Sequence, residues 1–458
     1  MSLHTEQSRS PLSLSPEELS RNALDSMPEE PEGRPMLKPP VRRKTSGWAK
    51  VLLLIELALL VTFLGGDAWH KAVGPAVPAQ EWMVTGPFIQ APFSSTNIDK
   101  LQHLSSYFPT QKLVDLYLSR MTLDQKLGQL FMVQYWGYSY SSDLETMIHD
   151  QYAGGVIMYG AQMQTFNQTK GDIARMQNKA WMPLLISTDE EGGYVQRIMN
   201  IFGNRPGALE TYQTGNIQNA VKLGNSITHD LQSLGINTDL APDVDVPVVM
   251  GPDQYMRTWG YTPQSVIQWG GTYLRTIQGD GEIASIKHFP GLGAATTDAH
   301  TGLPVVKRTQ DQIYSTELAP FKYFVQSKNK LENPGMIMTT DVLMPAIDPT
   351  LPAELSPTFV NGILRNQFGY NGVVITDALY MLGIAKKWNL PQAVVMSIEA
   401  GNDMILGVRD SSQLAASVAA LKQAINDGSL SMTRINQSVS RIIALKMQYH
   451  VWPGMPQT

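Results

Sequence analysis

Eight short apolar runs punctuate residues 112–452: GQLFMVQ, GGVIMYG, PLLISTD, NTDLAPDVD, IASIKHF, GMIMTTD, GVVITDA and NDMILGV. Gly, Pro, Asn and Asp at their edges mark where strands stop. Between most of them lie stretches of helical period, such as NAVKLGNSITHDLQSLG, PQSVIQWGGTYLRTIQG and QDQIYSTELAPFKYFVQS. Short buried strands alternating with amphipathic helices predict parallel βα units. Eight such units predict an α/β chain closed as a (β/α)8 TIM barrel. An open doubly wound sheet is the alternative. No G-x-G-x-x-G follows the first run, so a dinucleotide fold has little support.

The pattern before the barrel is different. In residues 1–47 Ser, Pro, Glu and Arg dominate, and apolar positions are too sparse to offset chain entropy. A disordered cytoplasmic tail is expected there. Residues 48–68, WAKVLLLIELALLVTFLGGDA, approach the roughly 20 residues of a transmembrane helix. Arg42, Arg43 and Lys44 precede the segment and Lys50 lies near its start. That asymmetry predicts a single-pass anchor in the cell membrane, with the globular part extracellular. Glu56 interrupts the run and must be protonated or paired, because a lone carboxylate at that depth is costly. Residues 69–111 are rich in Pro, Gly, Ser and Thr and are expected to be an extracellular linker.

Composition narrows the chemistry. The net charge of -5 carries no basic surplus, so no nucleic acid partner is expected. With no Cys, disulfides, thiolate metal sites and Cys nucleophiles are excluded. A monomer is expected, and no cofactor.

Polar residues then fall at the ends of the runs. The third ends at Asp189, the fourth in Asp243 and Asp245, the fifth at Lys287 and His288, the sixth at Asp341 and the seventh at Asp377. A single Asp there reads as a helix cap. A whole ring, including a Lys–His pair, reads as the functional face, since barrel chemistry sits at the C-terminal ends of the strands. No G-x-S-x-G or H-E-x-x-H occurs. His288, Asp298 and His300 are possible metal ligands, but their spacing matches no common site, and no metal is expected. Carboxylates facing each other over a pocket suit glycoside cleavage.

These residues carry a resemblance. KHFPGLGAATTDAH resembles the K-H-F-P-G-H-G…D-S-H signature of glycoside hydrolase family 3, in its NagZ-type β-N-acetylglucosaminidase branch. MTLDQKLGQLFMV, STDEEGGYVQRI, LGINTDLAPDVDV, MRTWGYTPQSV and GVVITDALYM resemble further motifs of that family, in order, so the likeness spans about Leu113 to Val451. It implies a retaining exo-β-N-acetylhexosaminidase acting on a GlcNAc-bearing glycan of the cell wall. Asp377 is then the nucleophile, and His300 the acid/base oriented by Asp298. Asp189, Arg257, Lys287 and His288 then bind sugar hydroxyls, and Arg197 supports the site. A His–Asp pair two residues apart suits the role, because imidazole exchanges protons near neutral pH and a carboxylate fixes its tautomer. Gly291 and Gly293 are expected to let this loop move.

Leu292, Ala299, Tyr194 and Asp341 stand where the family usually has His, Ser, Arg and His, and the departures at Tyr194 and Asp341 bear on substrate choice. The E-G-G context of Glu191 suggests backbone packing. The chain ends soon after its eighth run, so the second domain that supplies the acid/base in the β-glucosidase branch is not expected, which favours the D-x-H branch. A phosphorylase or β-glucosidase on the same fold, a metal-dependent hydrolase and a catalytically weak sugar-binding module are the competing readings.

Overall fold

The structure is a computed structural model that describes residues 110–249, 251 and 256–451. The expected tail, anchor and most of the linker lie outside the described residues. Among those described, no helix is long and apolar enough to cross a membrane.

The eight runs form β1 (Phe131–Val133), β2 (Gly155–Ile157), β3 (Leu185–Thr188), β4 (Thr238–Asp239), β5 (Ile283–Phe289), β6 (Met336–Thr339), β7 (Val373–Ala378) and β8 (Met404–Leu406). They pair in sequence order, and β8 returns to β1 in parallel to close the barrel. Nearly every strand residue is buried, because side chains fill the barrel on one face and helices cover the other. In α1 (Gln218–Leu234), Ala220, Leu223, Ile227, Leu231 and Leu234 are buried, the three-and-four spacing of a stripe facing the sheet. Gly235, in the left-handed region at φ 94°, stops that helix. Thr262 caps α2 (Pro263–Gly279), whose Pro263 needs no hydrogen-bond partner in the first turn.

Two elements differ from the sequence reading. QDQIYSTELAPFKYFVQS forms two helices, Gln310–Ser315 and Ala319–Gln326. Pro320 lacks the N–H that a continuous helix would need and sits in the first turn of the second one. The run NTDLAPDVD is a strand only over Thr238–Asp239, since Pro242 cannot donate to the ladder. The chain nonetheless stays beside β5, with one further bridge between Asp243 and Lys287.

The register slips at two places, between Ile286 and Phe289 of β5 and between Ile375 and Ala378 of β7. Both lie at the C-terminal rim. Consecutive residues of a regular strand face opposite ways, and an irregularity re-aims them. The first slip brings both Lys287 and His288 into the rim; the second contains Asp377.

Candidate active site

The rim above β3, β4 and β5 is a compact set of alternating charges. Lys287 Nζ, fully buried, donates to Asp189 Oδ1 at 2.7 Å and sits 2.7 Å from Glu191 Oε1. Arg257 grips Glu191 with two bonds, from Nε to Oε2 at 2.9 Å and from Nη2 to Oε1 at 2.8 Å. The same Nη2 donates to His288 Nε2 at 3.2 Å. Guanidinium cannot accept, so this contact requires the His288 proton on Nδ1, which faces Asp245 Oδ2 at 2.8 Å. Asp245 Oδ1 also accepts from the Leu292 N–H at 2.9 Å.

Burial alone would neutralise all these groups. For Asp189 and Glu191 the adjacent cations outweigh it, Lys287 and Arg197 for the first and Arg257 and Lys287 for the second, and both carboxyls are held below their usual range. Burial opposes the charges on Lys287 and Arg257, yet the neighbouring carboxylates hold both above their ordinary values. His288 is raised in the same way, chiefly by Asp245. Asp243 is the exception. Burial and the Asp245 charge prevail over Arg257 and His288, and its carboxyl is pushed up to about 7. Arg197 donates its backbone N–H to Glu190 Oε2 at 2.6 Å and holds its guanidinium 5.8 Å from the Tyr159 ring centre. Such a set can offer oriented donors and acceptors to a polyhydroxylated ligand.

Asp243, Asp245 and His288 each place one ligand atom within 4.8 Å of the others, a geometry able to hold a metal ion. A cation already stands there, since Arg257 Nε lies 3.6 Å from Asp243 Oδ2. Among the described residues the candidate ligands His288, Asp298 and His300 form no such group.

The loop after β5 carries the dyad. His300 Nδ1 lies 2.9 Å from Asp298 Oδ1, which also accepts the His300 N–H at 2.8 Å. The His300 side chain is 69% exposed, and that of Asp298 only 26%. The ring therefore presents Nε2 while the carboxylate orients it. Lys386 Nζ ties the loop to the opposite wall by donating to the Thr301 carbonyl at 2.9 Å. The expectation that Gly291 and Gly293 supply freedom is corrected. A Cβ on Gly293 would lie 1.8 Å from the Val246 carbonyl oxygen, and one on Gly291, at φ 126°, 2.7 Å from Glu317 Cβ. Both glycines permit close packing, and the exposed residues of the loop are Thr296, Thr297, His300 and Thr301.

Asp377 reaches the rim from β7. Its Oδ2 accepts from Thr340 Oγ1 at 3.2 Å, and its Oδ1 from the Ala378 N–H at 2.8 Å. Its own N–H donates to Glu354 Oε2 at 3.2 Å. A small cavity of about 40 Å³ is lined by Asp377, His300, Asp298, Arg257 and His288, so five of the candidate residues meet at one place. Asp189, Lys287 and Arg197 stand behind it through the ionic set. A larger cavity of about 640 Å³ lies at the opposite end, beside Gly335 just before β6 and Val373 at the start of β7, away from these groups.

Sequence reasoning missed Glu191, Thr340 and Glu354. The E-G-G packing is real: a Cβ on Gly192 would meet the Pro206 carbonyl oxygen at 2.3 Å. Packing and chemistry share the motif, because Glu191 joins Lys287 to Arg257. Tyr194 points outward at 69% exposure, whereas Asp341 is buried.

Residues 122–445 match the N-terminal domain of glycosyl hydrolase family 3. The chain belongs to that family. It is 30% identical to beta-hexosaminidase A of Pseudoalteromonas piscicida, over 71% of this chain and 61% of that one. It is also 30% identical to the beta-hexosaminidase LpqI of Mycobacterium tuberculosis, over 70% of this chain and 82% of that one. A solved family 3 β-N-acetylglucosaminidase from Paenibacillus sp. superposes with a TM-score of 0.68 at 35% identity, covering 74% of this chain and 64% of that one. The chain thus spans less than two thirds of the first and last of these relatives.

Proposed function

We propose that the protein is a retaining exo-β-N-acetylglucosaminidase that removes terminal GlcNAc from a glycan, and that it is held at the membrane by residues 48–68. The meeting of Asp377 with the Asp298–His300 dyad at one cavity carries the reading. Relatives named as hexosaminidases support the sugar class.

The reaction follows from the groups present. A carboxylate oxygen of Asp377 attacks the anomeric carbon as the bond to the leaving oxygen breaks. His300 Nε2 gives its proton to that oxygen, and the Asp298 carboxylate stabilises the charged ring beforehand. A water then loses a proton to His300 and displaces Asp377, restoring both groups with the configuration retained. The ionic set of Asp189, Lys287, Arg257 and His288 binds the sugar hydroxyls. The cavity is about 40 Å³, far below the roughly 300–1,000 Å³ of small-molecule sites. Thr296–Thr301 must therefore draw back to admit a sugar and then return with the dyad.

The test is turnover of 4-nitrophenyl β-GlcNAc beside the β-glucoside, with and without phosphate, by residues 69–458 and by their Asp377→Ala variant. Preference for GlcNAc, phosphate-independent release and loss in the variant support the proposal. A sugar phosphate as product would move the reading to a phosphorylase. Membrane fractionation of the full chain against a chain starting at residue 69 tests the anchor.

A further inference from the structure

Asp377 shares its surroundings with two more acids. Asp341 and Glu354 are both fully buried, and each leaves one side-chain oxygen, Oδ2 and Oε1 respectively, without a hydrogen-bond partner. The strongest charges acting on Asp341 are those of Asp377 and Asp298, and those acting on Glu354 are of Asp341 and Asp377. None of Asp341, Glu354 and Asp377 makes an ion pair among the described residues. Among the described residues, the groups against Asp341 add no cation. Thr340 precedes it on the chain, Asp377 and Glu354 come from β7 and the turn Ala353–Leu355, and Gly383 belongs to the helix Leu382–Ala385. A Cβ on Gly383 would lie 1.9 Å from Asp341 Oδ2, so the carboxyl fills the space that glycine leaves.

Thr340 links two of these acids. Its Oγ1 is 3.2 Å from Asp377 Oδ2 and 3.5 Å from Asp341 Oδ1. One hydroxyl carries one proton. If it donates to Asp377, the longer contact is favourable only when Asp341 supplies a proton of its own. Three carboxylates so close, with no cation among them, do not all ionise. Asp377 takes the shorter Thr340 contact and the Ala378 N–H, whereas Asp341 has its own N–H and the longer Thr340 contact.

Resting on the glycosidase reading above, we propose that Asp341 is kept as a neutral carboxylic acid, and that the chain Asp341–Thr340–Asp377 orients and polarises the nucleophilic carboxylate. Asp341 and Thr340 are positioning residues in this scheme; neither touches the reacting carbon. The charge balance agrees, since burial and the Asp377 charge push the Asp341 carboxyl up to about 9. Ionisation of Asp341 places a second unpaired charge beside Asp377 and moves the carboxylate off its line of attack.

The experiment compares wild type with Asp341→Asn, Asp341→Ala and Thr340→Val, by the pH profile of kcat/KM on 4-nitrophenyl β-GlcNAc and by Tm against pH. Asn keeps the shape and a donor but cannot ionise. It should retain activity and lose the alkaline limb, whereas Ala and Val lower kcat by about tenfold to a hundredfold through misplacement of Asp377. An alkaline limb unchanged in Asp341→Asn, or Asn as damaging as Ala, overturns the proposal.

The Tm series needs no substrate, so it judges Asp341 even if the sugar assignment fails. A carboxyl raised in the folded state binds a proton that the unfolded chain has released above about pH 4, so stability falls as pH rises from there toward the folded value. Asp341→Asn should flatten that fall between about pH 5 and about pH 8. An equal slope in both proteins means that Asp341 is ionised, and the proposal is wrong. Failure of wild type to cleave the sugar, with the Tm slopes differing as expected, counts against the glycosidase reading alone.

Discussion

Asp403 and Asp377 lie at opposite ends of the barrel. Asp403 precedes β8 at the N-terminal end, and three arginines converge on it. Arg365 bonds its Oδ2, while Arg434 and Arg441 stand 3.3 Å and 3.1 Å from its Oδ1. Ser438 Oγ and the Val374 N–H complete the set at 2.7 Å and 3.1 Å. Burial alone would raise this carboxyl, but the three guanidinium groups outweigh it and hold it below the usual range. Asp377 has a hydroxyl and a backbone N–H, with further acids behind it. The first carboxylate is fully committed to its partners. The second retains the capacity to meet a developing positive charge, as a nucleophile at an anomeric carbon requires.

The most severe test of this contrast is removal of the uncommitted carboxylate. Asp377→Asn should lower kcat by about 10⁴-fold or more, with little change in Tm, since nucleophile deletions lose most of the acceleration. A loss under about tenfold would show that another group attacks. His300→Ala should follow, costing about 10²- to 10⁴-fold on a GlcNAc disaccharide. The same change should cost much less on 4-nitrophenyl β-GlcNAc, because nitrophenolate leaves without a proton. Equal losses on both substrates would remove His300 from the acid role.

How far these roles were legible depends on how each residue reaches the site. Most of the strands show in the sequence because a barrel strand buries both faces and leaves a continuous apolar run, whereas the fourth, Thr238–Asp239, is polar and its run was read too long. Asp377 and the Asp298–His300 pair show because each sits in a local motif. Glu354 lies in the turn LPAEL beyond β6, with no periodic pattern around it. It becomes a neighbour of Asp377 only when β6 and β7 pair, as Met336 with Val373 through Met338 with Ile375. Thr340 reads as one more small residue closing a strand. The ionic links of Glu191 were hidden because its glycines gave a sufficient structural reason for the motif. Pro242 and Pro320 carried their breaks in plain view, and there the apolar and helical patterns were read past them.

At the committed end the same logic predicts a stability effect and no catalytic one. Asp403→Ala should destabilise the barrel by about 3–5 kcal/mol, because it leaves buried guanidinium groups without their anion. The activity of the remaining folded protein should be unchanged. The native pairing contributes fully above about pH 4 and fades as the pH falls below that value, since the folded carboxyl gives up its charge later than the unfolded one. A variant whose Tm at low pH equals that of wild type while differing at neutral pH supports this. A uniform offset at every pH points to lost packing instead.

The smallest expected effect sharpens the contrast from the cationic side. Lys446, on α3 (Met432–Gln448), is fully buried near the start of β1 and donates to Gln129 Oε1 at 2.8 Å. Among the described residues it pairs with no carboxylate, and burial pushes its amine down to about 7. The unfolded chain keeps that proton to about pH 10.4, so stability should rise with pH from about 7 to about 10. Below about pH 7 the buried charge is present and its full cost is felt. Lys446→Met removes the charge and leaves Gln129 Oε1 unpaired. These opposing changes should nearly cancel, to within about 1 kcal/mol at neutral pH. The discriminating quantity is the slope of Tm against pH in the alkaline range, which the Met variant should flatten. If the slope survives the substitution, Lys446 remains charged in the folded protein throughout that range, and burial at this end of the barrel is less decisive than the three-arginine grip on Asp403.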